Sequence, residues 1–292
     1  MQILDGRVVA QKWRDDIRQQ LSVCQARGVT PGLAVVLVGD DPASVLYTSM
    51  KEKVSRELGF VSLKIVLSAQ TTTDELCRRI TELNLDPAIH GILVQLPLPA
   101  QIDTNRVLEV IDPHKDVDGL HPTSLGNLLI GNEQVVPATP RGILYLLDAY
   151  DVRTSGQHVV IIGRSNILGK PLAAMFLNRD ATVTICHRKT RNLAALTRQG
   201  DIVVMDTGVP GLLRADMVKP GAVVVDAGIS KDATGQVVGD VVFAEVAERA
   251  GAITPVPGGV GPMTIAALLQ NTVDLATAAT ILPGQSQLHH EQ

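Results

Sequence analysis

With 292 residues the chain is long enough for two domains of ordinary size. Its 26 basic and 30 acidic residues leave a net charge of −4, which gives no reason to expect nucleic acid or an anionic membrane as a partner. No apolar run reaches membrane-spanning length, and the three cysteines, Cys24, Cys77 and Cys186, form no CxxC pair, so a cytoplasmic enzyme or binding protein in a reducing compartment is expected. Aromatic residues make up only 2% of a chain that is 45% hydrophobic. The cores must therefore be built from Val, Leu, Ile and Ala, as in parallel sheets covered by helices.

Residues 7–27 read as a helix with Val9, Trp13, Ile17, Leu21 and Cys24 on one stripe and Gly28 as its stop. "LAVVLVG" (33–39) reads as a buried strand and Ser44 to Leu58 as a helix ended by Gly59. "VSLKIVL" (61–67) is a strand, "TTDELCRRITELN" a capped helix and "GILVQLPL" (91–98) a further strand. The turn-rich "HKDVDGLHPTSLGN" (114–127) precedes a helix expected to begin after Pro140. A second run of strand and helix patterns starts at "HVVIIGRSNILGKP" and continues through "ATVTICHRKT", "GDIVVMDTGV" and "GAVVVDAGI". "PMTIAALLQNTVDLATAATIL" is a long terminal helix with no strand after it, and "PGQSQLHHEQ" is a polar, frayed end. The alternation predicts an α/β chain of two domains, the first strand–helix repeat and the second each with a parallel sheet.

"VVIIGRSNILGKP" places Gly163 at a strand end and Gly169 at a helix start, the context in which a helix N-terminus receives phosphate. The spacing departs from GxGxxG, so taken alone it is equally an ordinary β–α turn. The next strand ends in His187, Arg188 and Lys189 with no acid, where a 2′-hydroxyl reader would carry one. With Arg164 in the first loop, this favours a 2′-phosphate and hence NADP over NAD; a solvated basic loop is the plain alternative.

"SVLYTSMKEK" (44–53) holds Tyr47 and Lys51 four residues apart. On a helix, Leu46, Met50, Val54 and Leu58 would span an apolar arc of about 120°, with Tyr47 inside it and Lys51 about 20° beyond its edge, so that both can face a cleft. The Tyr-x-x-x-Lys pair of short-chain dehydrogenases lies downstream of its nucleotide loop in the same domain; here the pair precedes Gly163, which excludes that reading. Gln95 interrupts an otherwise apolar strand and needs partners if buried; at the carboxyl end of a parallel strand it can point into the crevice where α/β folds bind ligands. Asp116 and Asp118 occupy a turn that Asx hydrogen bonds alone would explain. "TPVPGGVGPMT" (254–264) forms a rigid loop that can bring backbone N–H groups to a substrate or simply enter a helix.

In order and spacing, "ILDG", "YTSMK", "VQLPLP", "KDVDG", "GRSNILGKP", "CHRKT" and "PVPGGVGPMT" resemble, from end to end, the bifunctional methylenetetrahydrofolate dehydrogenase/methenyltetrahydrofolate cyclohydrolase family. One departure is Ala138 in "PATPRG", where members commonly have Cys in a "PCTP" segment; that Cys does not carry the chemistry. The resemblance implies NADP-dependent oxidation of 5,10-methylenetetrahydrofolate and then hydrolysis of the methenyl cation to 10-formyltetrahydrofolate. It implies a folate-binding catalytic domain (1–138 with 265–285) and a Rossmann-like NADP-binding domain (139–264), separated by a cleft, in a homodimer that forms through the nucleotide domain. Lys51 and Gln95 would act at the one-carbon unit, Tyr47 would stack on the folate, and Asp118 would hold the pterin. Gly259 and Pro262 would line the substrate, and Gly163, Arg164, Ser165, Gly169, Arg188 and Ile229 the cofactor. No metal is required. Two other readings are an NADP-dependent dehydrogenase of the shikimate-dehydrogenase type and a non-catalytic NADP sensor. The "QLPLP" and "PGGVGPMT" segments oppose the first, and the presence of Tyr47, Lys51, Gln95 and Asp118 opposes the second.

Overall fold

A computed structural model describes residues 1–281; the expected polar terminus, and residues 282–285 of the expected folate domain, lie outside the described residues. In chain order the elements are β1 (Gln2–Ile3), α1 (Gly6–Ala26), β2 (Gly32–Val38), α2 (Pro42–Leu58), β3 (Val61–Leu67), α3 (Thr73–Leu85), β4 (Gly91–Val94), α4 (Thr104–Val110), α5 (Pro122–Leu129) and α6 (Ala138–Ala149). They continue as β5 (His158–Ile162), α7 (Gly169–Leu177), β6 (Thr182–Cys186), α8 (Leu193–Thr197), β7 (Ile202–Met205), β8 (Val223–Asp226), β9 (Ser230–Lys231), β10 (Val237–Val238), α9 (Phe243–Ala247), β11 (Ala252–Ile253) and α10 (Val260–Ile281).

The chain divides into two compact units, one of residues 13–126 with 268 onward, the other of residues 1–12 with 127–267. These differ from the expected boundaries at both ends of the first segment. Residues 1–12 group with the nucleotide motif because β1 pairs with β11, Gln2 facing Ala252, and Leu4 N donates to Ile253 O at 2.9 Å. Residues 127–138 follow for a similar reason: Asn178 Nδ2 donates to Leu128 O at 3.0 Å.

In the first unit three parallel strands are ordered β3-β2-β4, with β2 buried along its whole length. Val36, Val38, Ile80, Ile92 and Val107 form its core with α3 and α4. The expected α3 cap and the Gly59 stop are present, while α2 starts at Pro42, ahead of the expected Ser44, with Asp41 as its cap. Thr72 and Glu75 close a reciprocal capping box on α3, and Asp41 and a left-handed Gly59 close the two ends of α2. β4 is shorter than expected. It ends at Val94 instead of Leu98, because the segment beyond Gln95 holds Pro97 and Pro99, which have no N–H to give a ladder.

In the second unit six strands lie parallel in the order β1-β11-β8-β7-β5-β6, with a separate β9–β10 hairpin. Its core gathers Val160, Ile162, Val203, Met205, Val224 and Ile253. α6 begins at Ala138, ahead of the expected start after Pro140, since proline fits the first helical turn, where an N–H has no intrahelical partner. For the same reason α10 starts at Val260 and takes Pro262 into its first turn.

The close packing of β2 gives a contrast that unfolding can test. A Cβ on Gly32 would overlap the backbone oxygen of Ala88, whereas one on Gly126, exposed in α5, meets nothing within 4 Å. Gly32→Ala is expected to destabilise by about 1–3 kcal/mol. Gly126→Ala is expected to stabilise by about 0.5–1 kcal/mol. Denaturant unfolding of the two variants checks both signs.

Candidate active site

α2 presents Ser44, Thr48, Lys51, Ser55 and Leu58 to the interior, while Leu46 is 60% exposed and Met50 44% exposed. The apolar arc expected from the sequence is therefore not the packed face. Lys51 lies in the middle of the buried face instead of beyond its edge. The physical reason is local. Thr48 Oγ1 donates to Ser44 O at 2.9 Å and Ser55 Oγ to Lys51 O at 2.8 Å, so these hydroxyls satisfy themselves on the preceding turn and pack as small side chains.

Lys51 is only 9% exposed, and its Nζ donates to Gln95 Oε1 at 3.1 Å. Burial lowers the Lys51 pKa, opposed by the charge of Asp118. Gln95 follows directly on the last residue of β4, at the carboxyl end of this parallel strand, as the sequence allows. Its backbone N–H still reaches Val36 O at 2.8 Å, and its Nε2 donates to Leu96 O at 2.6 Å, which fixes the amide with Oε1 toward the lysine. Asp118 is half-buried, and among the described residues its carboxylate has no hydrogen bond and no ion pair. Burial raises its pKa to about 6, with Lys51 opposing the rise and Asp116 adding to it. Asp116 has a different role. It is 1% exposed and accepts from Leu120 N, His121 N and Ser124 Oγ at 3.2, 2.8 and 2.8 Å. Tyr47 is half-buried on α2, burial raises its pKa so that the phenol stays neutral, and its hydroxyl has no hydrogen-bond partner among the described residues.

The unit thus brings together a buried ammonium, an amide that orients it, and an unpartnered carboxylate electrostatically coupled to it. A carboxylate in that state can receive two N–H donors from a ligand. A lysine made less basic by burial gives up its proton more readily than a free lysine does.

In the other unit β5 runs into Gly163, at φ 142°. A Cβ on Gly163 would overlap Asp206 O and one on Gly169 would overlap Gly163 O, so this loop keeps the backbone clear, as close approach of a pyrophosphate requires. Ser165 Oγ donates to Asp206 Oδ2 at 2.9 Å and accepts from Leu168 N and Gly169 N at 3.0 and 3.3 Å. After β6, Thr190 N donates to His187 O at 2.7 Å and closes a turn with Arg188 at its tip. Arg164 and Arg188 are exposed and have no ion pair or hydrogen bond among the described residues. Ile229, half exposed, follows Gly228, whose N–H donates to Asp226 Oδ1 at 3.0 Å. Gly259 is buried and donates to Pro255 O at 2.8 Å, and Pro262 lies in the first turn of α10; both belong to this unit, not to that of Lys51.

Sequence reasoning overlooked the carboxylates that order these loops. Asp226 accepts from Gly228 N, Asp240 N and Val241 N, and Asp240 Oδ2 accepts from Thr207 N, Thr207 Oγ1 and Gly208 N. Burial holds Asp226 up at about 6. The available signal for Asp226 was an Asp closing the apolar run "VVVD". Among the described residues no cluster of His, Cys, Asp or Glu could hold a metal ion.

Residues 4–118 match the model of the tetrahydrofolate dehydrogenase/cyclohydrolase catalytic domain, and residues 137–280 that of its NAD(P)-binding domain. Bifunctional protein FolD 2 of Geobacter sulfurreducens is 54% identical over 95% of this chain and 97% of its own length. Among solved structures, the bifunctional FolD enzyme of Campylobacter jejuni superposes with a TM-score of 0.94 at 47% identity, over 96% of this chain and 99% of its own. The Trypanosoma brucei FolD structure, complexed with NADP and an inhibitor, gives 0.92 at 38% identity, over 95% and 98%. A shikimate 5-dehydrogenase of Listeria monocytogenes, at 15% identity and a TM-score of 0.50, shares the fold alone. Two domain models in sequence, and relatives matched over almost their whole length, place this chain in the tetrahydrofolate dehydrogenase/cyclohydrolase family.

Proposed function

We propose that the chain oxidises 5,10-methylenetetrahydrofolate with NADP and hydrolyses the resulting 5,10-methenyl cation to 10-formyltetrahydrofolate. The observation that carries this reading is the buried Lys51, aimed by Gln95 and electrostatically coupled to an Asp118 carboxylate that has no hydrogen bond of its own among the described residues. NADP supplies the hydride acceptor when bound. Gly163, Ser165 and Gly169 fit its pyrophosphate, and Arg164 and Arg188 are exposed cations, without an ion pair among the described residues, on the loops that would meet its 2′-phosphate. Ile229 is exposed at the neighbouring loop, where an apolar side chain can pack on the nicotinamide ring.

The two steps ask different things of the protein. Loss of a hydride from the methylene carbon requires position more than acid or base, because the proton count does not change. In the second step water must bond to the methenyl carbon, the carbon–N5 bond must break, and one proton must leave. Gln95 holds the Lys51 nitrogen in place. Its lone pair, when free, accepts the proton of the attacking water, and its ammonium form donates to the developing oxygen. Asp118 binds the donors of the pterin ring, and Tyr47 stacks on it. The same reading takes the enzyme to be a cytoplasmic homodimer that associates through the nucleotide unit. Its partners are folate derivatives, with no nucleic acid and no membrane.

Lys51→Met keeps the apolar stem and removes the ammonium. Cyclohydrolase activity is expected to fall by about 10²–10⁴-fold, and hydride transfer by much less. Thermal unfolding should show no loss of stability, because the variant also removes the cost of burying a charge. An assay of methenyl absorbance, forming with NADP and then decaying, reads both activities. Full hydrolysis by a folded variant would exclude the role. Arg188→Ser tests the cofactor: it should weaken NADP by roughly 1.5–3 kcal/mol, a charged hydrogen bond, and leave NAD nearly unchanged. Equal losses would move the phosphate to Arg164.

A further inference from the structure

The Asp118 carboxylate makes no hydrogen bond among the described residues, yet it stands in a loop that is fastened on both sides. Val117 O, the carbonyl immediately before it, accepts from Asn271 Nδ2 of α10 at 2.7 Å, with the donor 154 residues away in sequence. Asn271 is 2% exposed. The Val117 side chain is fully buried against Gly91 of β4: a Cβ on Gly91 would overlap Val117 Cγ1 and stand 3.3 Å from Thr272 of α10. After Asp118, Gly119 turns back with φ 65°, and its N–H donates to Asp116 O at 3.3 Å. The Asp116 carboxylate then gathers Leu120 N, His121 N and Ser124 Oγ. On the strand side a parallel bridge joins Asp116 to Ile92 of β4.

We propose that Asn271 is a positioning residue for Asp118: through the Val117 carbonyl it sets where the folate-binding carboxylate stands relative to Lys51, with Asp116 and Ser124 completing the clamp. This deepens the function given above and rests on that reading. Its logic is steric and electrostatic. A carboxylate with no hydrogen bonds of its own cannot be held by its side chain, so its place is fixed through the backbone on either side. If the clamp loosens, Asp118 can swing into water and is lost to both Lys51 and the substrate. The terminal helix thereby acquires a part in substrate recognition in addition to packing.

The test compares Asn271→Leu, which keeps the volume and removes the donor, with Ser124→Ala, which takes away one of the three bonds on Asp116. Asp118 must be ionised to accept the pterin donors, so cyclohydrolase kcat/KM should fall as pH drops below about 6, the value set by its burial. Lys51 from α2 and Asp116 from its own loop are the charged groups coupled to it. In Asn271→Leu, Asp118 relaxes toward water. The acid limb should therefore move to lower pH, and KM for the folate should rise by about 10-fold to 100-fold, with KM for NADP unchanged. Ser124→Ala should move both in the same sense, less far. A merely structural Asn271 would lower the melting temperature and leave the limb and the folate KM where they are; that result in the folded variant would overturn the proposal. Should Asn271→Leu fail to fold, an unchanged limb and KM in Ser124→Ala would overturn it equally. A wild-type protein inactive on methylenetetrahydrofolate would sink the functional reading instead. The clamp would then be decided by NMR titration of Asp118 in wild type and Ser124→Ala, where coincident curves would refute it.

Discussion

An ammonium group taken out of water is costly unless something nearby answers its charge, and that constraint organises the unit that carries Lys51. A single neutral acceptor, Gln95 Oε1, is its hydrogen-bond partner, and Asp118 is the charge that opposes its desolvation. Neither of these is an ordinary ion pair, because among the described residues no carboxylate lies within salt-bridge distance of Lys51. The arrangement leaves both charges under-compensated. A bound folate can supply what each lacks: donors for the carboxylate, and an electron-poor carbon with its water for the nitrogen. A fully bonded Lys51–Asp118 pair would be more comfortable in the free protein and less useful.

Holding such groups apart requires a stiff frame, and the topology provides it. In both units the candidate site residues follow the carboxyl ends of parallel strands, where α/β folds place ligands. Gln95 follows β4, Gly163 follows β5, Asp206 follows β7, and Asp226 closes β8. Buried carboxylates recur as the means of fixing the intervening loops. Asp116 gathers three donors in one unit, and Asp226 and Asp240 each gather three in the other. These acids order backbone, whereas the Asp118 carboxylate makes no hydrogen bond among the described residues.

The strands, the caps and the glycine-rich turns were legible in the sequence because each is a local choice. Apolar runs marked β2, β5, β7 and β8, and Thr72 with Glu75 marked the start of α3. Lys51, Gln95 and Asp118 could be singled out one by one, but their conjunction was carried by the family resemblance. The packing face of α2 was misread because period analysis counts Leu46 and Met50 as inward and Thr48 and Ser55 as outward. Back-bonding of the two hydroxyls reverses this, and only the three-dimensional contacts reveal it. Membership of residues 1–12 depended on the pairing of β1 with β11, a contact across some 250 positions with no local signature. Asn271 was invisible for the same reason, since nothing near it in the chain announces the Val117 carbonyl.

The central claim is that Lys51 is buried, less basic than a free lysine and coupled to Asp118. NMR titration of lysine side chains, with the Lys51 signal identified by its loss in Lys51→Met, measures this directly. The account predicts that Lys51 titrates below the ordinary value of 10.5. It predicts a further drop in Asp118→Asn, because the charge that favours the ammonium is then gone. A Lys51 that titrates together with the exposed lysines, and is indifferent to Asp118→Asn, would contradict it.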